Sequence, residues 1–80
     1  MDVESIVVSE IAMACGLEKT EISKDSWLVE HGIDSVKSID IIMSLEDKFE
    51  ISVDDEDMEK IVTVVDVINL VHDKTVSSDS

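Results

Sequence analysis

Gly32-Ile33-Asp34-Ser35-Val36 runs without a break into Lys37-Ser38-Ile39-Asp40-Ile41-Ile42-Met43-Ser44-Leu45-Glu46-Asp47-Lys48-Phe49. This stretch decides the fold. At about 100° per residue, Ile41, Ile42, Leu45 and Phe49 gather on one helical face, a stripe fit for a core. Val36, Ile39 and Met43 gather on a second strip, centred roughly 140° away. A globular helix normally has one apolar face, so the second strip either packs under a neighbouring segment or faces a partner. Asp40 and Asp47 flank it on one side, Glu46 and Glu50 on the other. An apolar centre with a charged rim suits docking. Coverage of Val36 and Ile39 by residues 17–34 is the competing expectation. The strip's start beside Ser35 favours docking.

Outward from this helix, three more segments have helical period. Val3, Val7, Ile11 and Ala14, with Ile6 beside them, mark a first helix. Asp2 and Glu4 suit its electropositive N-terminal end, and Gly16 is a natural stop. Val64, Val67, Ile68 and Val71 mark the last helix, opened by the capping box Thr63-Val64-Val65-Asp66, with aspartate in the place of glutamate. A short third segment near Asp55 to Lys60 contributes Met58 and Ile61. The connection from Leu17 to Asp34 is long, and loops of that size are functional or internally packed. Leu17, Ile22, Trp27, Leu28 and Ile33 are its candidate anchors. The polar end, residues 75–80, reads as a flexible tail.

The composition narrows the class. Eighty residues make a single domain, 1–80, burying only about 60–65% of the unfolded surface. One cysteine, Cys15, cannot form an internal disulfide and reads as a small buried apolar residue. No apolar run approaches the roughly 18 residues of a membrane span. The acidic start Met1-Asp2-Val3-Glu4-Ser5 leads no signal-type apolar core, so a reducing cytoplasm is the expected compartment. Twenty acidic residues against six lysines give a formal charge of −14. Such a surface repels nucleic acid and anionic lipid and attracts proteins with basic patches. With 44% hydrophobic residues in helical spacing the chain can still form a core.

A serine before an apolar run is by default an N-cap. Asp34, immediately before it, is an equally good cap. If Asp34 caps, Ser35 becomes the first helical residue with its hydroxyl free, at a helix end whose unpaired N–H groups tolerate a phosphodiester. Gly32 lets the chain turn and gives an incoming enzyme close backbone access. A triad of His31, Asp34 and Ser35 is rejected, because there is no nucleophile elbow and little room for an oxyanion pocket. Asp54-Asp55-Glu56-Asp57 lacks the spacing and central glycine of a calcium loop, so no metal site is expected.

Over residues 3 to 74 the chain resembles the acyl carrier proteins. The resemblance rests on Asp34-Ser35-Val36, similar to that family's Asp-Ser-Leu motif, and on Leu45-Glu46-Asp47-Lys48-Phe49, similar to its Leu-Glu-Glu-x-Phe helix end. It rests also on Asp54-Asp55-Glu56-Asp57-Met58-Glu59-Lys60-Ile61, similar to its acidic third helix. The resemblance implies an all-α four-helix bundle with a long loop between helices 1 and 2 and a short third helix. It implies no catalytic activity, and a 4'-phosphopantetheine arm moved from coenzyme A onto Ser35 by a phosphopantetheinyl transferase. Asp34 would flank the attachment site, and Val36, Ile39, Asp40, Met43 and Asp47 would contact partners. The acyl chain would fold back along Ile41, Leu45, Phe49, Ile61 and Ile68. The implied partners are acyl-transferring and acyl-modifying enzymes with basic docking patches, met by a monomeric, cytoplasmic carrier that binds no nucleic acid and inserts in no membrane.

Several positions depart from the family pattern. Val36 replaces leucine, Lys37 and Ser38 replace an acidic or neutral pair, Lys48 interrupts the acidic helix end, and Asp54 stands where proline is frequent. These point to a carrier for a specialised acyl group rather than a general fatty-acid carrier. Two other readings stay open: an acidic helical adaptor that binds basic partners unmodified, and a peptidyl or polyketide carrier domain from a larger synthase. The adaptor would survive Ser35→Ala, whereas a carrier would lose function and keep its fold.

Overall fold

The structure is a computed structural model and describes residues 2–78. Among them four α-helices occur: α1 (Val3–Cys15), α2 (Ser35–Phe49), α3 (Asp55–Glu59) and α4 (Val64–Ser78). The expected all-α architecture is present, with its long first loop and a third helix of barely more than one turn. α4 continues through Ser78, and Asp79 and Ser80 lie outside the described residues.

Each helix begins where local chemistry supplies acceptors for its first amides. Asp2 Oδ1 accepts from Ser5 N (3.4 Å) at α1. The Thr63–Asp66 box opens α4: Asp66 N donates to Thr63 Oγ1 (3.3 Å) and Thr63 N to Asp66 Oδ2 (2.9 Å). A second reciprocal box, unread in the sequence, opens α3, with Asp57 N donating to Asp54 Oδ1 (3.0 Å) and Asp54 N to Asp57 Oδ2 (3.4 Å). Asp54, at the position where proline is frequent in the family pattern, therefore caps α3. Gly16 ends α1 with φ 69°.

α1 packs on α2 and α4. The apolar stripes meet in one core, where Val7, Ile11, Leu45, Val64, Val67 and Val71 are essentially sealed from solvent. Ile41, Ile42 and Ile68 join them, with Phe49, Met58 and Ile61 half-buried at the margin. Cys15 is half-buried at the end of α1 rather than fully inside.

The long loop is internally structured by two 3-10 turns, Lys19–Glu21 and Leu28–His31. Ile22, Leu28 and Ile33 plug into the core and Leu17 packs against it. Trp27 does not. It stays 55% exposed because its backbone is held in a short antiparallel bridge opposite Thr63. Leu28 N donates to Val62 O (2.9 Å) and Val64 N to Ser26 O (3.1 Å). Trp27 is the extended residue that leads into the 3-10 turn, whose first residue, Leu28, is buried.

Candidate functional site

The site grows from the end of the long loop. Gly32 closes the second 3-10 turn at φ 77°, a left-handed conformation that side chains resist, and its N–H reaches Val29 O at 3.1 Å. Open space surrounds the position a Cβ would take, so the backbone angle alone calls for glycine. Buried Ile33 then anchors the chain, with its N–H on Leu28 O (3.3 Å). Asp34 follows in extended conformation and caps α2. Its Oδ1 accepts from Lys37 N at 2.8 Å, and its carbonyl accepts from Ser38 N at 2.9 Å.

Ser35 is consequently the first residue of α2, exposed, and not the cap. Among the described residues its hydroxyl has no protein hydrogen bond, and the amides of Ser35 and Val36 lack protein acceptors. A primary hydroxyl beside two open amides at the positive end of a helix has the donor set for a phosphodiester. The residues present fit the arm.

Along α2 from Ser35 the second apolar strip stands open. Val36 is 69% exposed, Ile39 48% and Met43 60%, so residues 17–34 do not cover it. Asp40 and Asp47 are exposed beside it. The opposite rim differs from expectation. Glu46 turns inward, and its Oε2 accepts from Val53 N at 2.9 Å, binding the chain after α2 to the helix. Glu50 is the left-handed C-cap of α2, at φ 55°. Lys48 pairs with Glu10 of α1 at 3.2 Å, which gives this interruption of the acidic helix end a structural role. Lys37, two residues along α2 from the serine, has no ion pair among the described residues.

His31 is turned to Ser26, whose Oγ lies 2.7 Å from its Nε2, and the two brace the loop. In the acidic run, Asp57 meets Lys74 of α4 at 2.8 Å. The hydrogen bond from Lys74 pulls the Asp57 carboxyl below the ordinary carboxylate range, and the same bond raises Lys74. Asp66 is also held low, first by the backbone N–H of Thr63.

Three concavities meet near Ser38 and Ile61. A narrow interior cleft of about 10 Å³ lies among Ile11, Leu28, Ile33, Ile41, Ile42 and Val67, room for about one water. Of the expected acyl-chain positions it brings in Ile41 and Ile61, while Leu45, Phe49 and Ile68 pack elsewhere in the core. Two open troughs start at Ser35. One, of about 330 Å³, runs past Ile39 towards Asp55, Met58 and Glu59. The other, of about 510 Å³, runs past Asp34 towards Trp27, Val29 and Val62. That second, largely apolar trough has no signature in the helical periodicity. Trp27, expected from the sequence to anchor the loop in the core, instead forms part of its lining.

No helix among the described residues is long and apolar enough to cross a membrane. A family model described as the phosphopantetheine attachment site matches residues 5–71. A solved acyl carrier protein from Thermotoga maritima is 29% identical, with a TM-score of 0.80, over 91% of this chain and 86% of that one. Carriers of this type work with a phosphopantetheinyl transferase and acyl-handling enzymes and catalyse nothing themselves. The match across both helical ends and the serine loop places this chain in the phosphopantetheine-attachment family, as a non-enzymatic carrier of the acyl-carrier type that bears 4'-phosphopantetheine covalently.

Proposed function

We propose that Ser35 is the attachment residue and that the chain carries acyl intermediates of fatty-acid or polyketide type for a specialised pathway. One observation carries this reading: Asp34 takes the capping role, leaving the Ser35 hydroxyl exposed and unengaged at the start of α2. When bound, the arm supplies a thiol that holds the acyl group as a thioester. Asp34 fixes where the helix starts, and therefore where the hydroxyl points. The helix end stabilises the phosphodiester's negative charge.

Val36, Ile39 and Met43 form the apolar centre of the docking surface, with Asp40 and Asp47 meeting basic patches on the transferase and on acyl-handling enzymes. Tethering raises the cargo's effective concentration at each partner. Ile41, Leu45, Phe49, Ile61 and Ile68 are the positions along which a long acyl chain would thread inward once the helices part. The carrier acts as a monomer in the cytoplasm, and its charge keeps it from nucleic acid and anionic membranes.

The test is intact mass after incubation with coenzyme A, magnesium and a promiscuous transferase, beside Ser35→Ala. A gain of one phosphopantetheine in the parent and none in the variant is expected. Gain in both would move the site. If the parent is unchanged and was not already modified, Lys37→Asp tests whether this charge blocks the transferase. An unmodified Lys37→Asp would favour the acidic adaptor.

A further inference from the structure

The interior cleft among Ile11, Ile41, Ile42 and Val67 has space for about one water, yet a large apolar trough opens at the proposed attachment serine. The trough is floored by Leu28, Ile33 and Ile61 and walled by Trp27, Val29 and Val62. Trp27, Val29 and Val62 are all exposed large apolar side chains, and no segment among the described residues covers them. Their placement is not an accident of loose chain, because the bridge between Ser26–Leu28 and Val62–Val64 holds both walls and Asp66 holds Val62 N at 3.0 Å. The neighbouring trough on the α3 side presents Asp55 and Glu59 instead.

Resting on the Ser35 assignment, we propose that the Trp27–Val29–Val62 trough seats the distal arm and a short aliphatic acyl group, outside the bundle rather than within it. Three observations select this occupant. Ser35 forms part of the trough's own lining, so an arm attached there enters without any docking encounter. Among the described residues Asp34 is the trough's only charged lining residue, so a neutral aliphatic chain meets mainly apolar walls there, whereas the other trough offers two carboxylates. Trp27 also presents an open aromatic surface at low entropic cost. Each methylene fully buried there favours the seated arm by about fourfold. Short linear acyl groups should therefore be shielded in proportion to length, without the helices parting.

Trp27 is the single tryptophan, which makes it a specific reporter. The chain would be loaded by a transferase with coenzyme A, acetyl-coenzyme A or butyryl-coenzyme A. Loading is verified by intact mass, and acrylamide quenching of Trp27 is then measured. Quenching should fall by about twofold on butyryl loading, because a chain laid on one ring face leaves the other open. Acetyl should give a smaller fall. Val29→Asp, at an exposed position, should load fully, keep its melting temperature and lose the butyryl effect. Fully loaded protein with unchanged quenching would overturn the trough and leave the carrier reading intact. A persistent effect in Val29→Asp would overturn it too. A chain that takes no arm, either as the parent or as Lys37→Asp, would sink both readings.

Discussion

Asp66 is the residue on which the α3–α4 connection depends. Its Oδ2 accepts from Val62 N at 3.0 Å and Thr63 N at 2.9 Å, while its own N–H reaches Thr63 Oγ1. Replacing it by alanine strands two amides. Hydrogen bonds to a charged group are worth about 1.5–3 kcal/mol each, but Val62 is exposed and its amide can turn to water. Thr63 is half-buried and recovers less. Loss of about 2 kcal/mol follows, overlapping with the usual cost of about 1 kcal/mol for a lost cap. For a domain of this size that is a melting-temperature drop of about 8–16 °C. Asp66→Asn keeps one acceptor oxygen and should lose about half as much.

The pH dependence fixes the sign independently. Asp66 is held below its unfolded pKa, chiefly by the Thr63 amide, so its charge stabilises the fold above the unfolded value. That contribution disappears as pH falls through the lower, folded value. Thermal denaturation followed by far-UV circular dichroism, at neutral pH and well below the carboxylate range, checks both points. The gap between parent and Asp66→Asn should close in acid. An alanine variant melting within about 2 °C of the parent at neutral pH, well short of the drop expected for a domain this size, would refute the argument.

The left-handed positions give paired predictions of opposite sign. Gly32→Ala, at φ 77°, should destabilise by about 1–2 kcal/mol, whereas Glu50→Gly, at φ 55°, should stabilise by up to about 1 kcal/mol, both read by urea titration. Ile39→Asp should leave the melting temperature within about 2 °C, since the side chain is exposed, yet slow transferase loading by about tenfold. Normal loading kinetics would remove Ile39 from the docking surface. Added sodium chloride or magnesium should raise the melting temperature by relieving repulsion among the excess carboxylates, and a fall at moderate salt would contradict that electrostatic account.

Helical period and capping are local properties, and they were legible in order along the chain. Val7, Ile11, Ile41, Ile42, Leu45, Val64, Val67, Ile68 and Val71 all reach the core, because spacing of three and four residues places them on one face before any tertiary contact exists. Asp34 and the Thr63–Asp66 pair act as read, since a cap needs only residues three apart. What spacing could not decide was whether the second apolar face of α2 stays uncovered, since that depends on where Ile22, Leu28 and Ile33 draw the loop. Nor could it show Glu46 turned to Val53, or Lys48 reaching Glu10. Least of all could it bring Trp27 beside Val62. A bridge between segments more than thirty residues apart does that, and only packing of the folded chain closes so long a loop to give Ser35 an apolar trough.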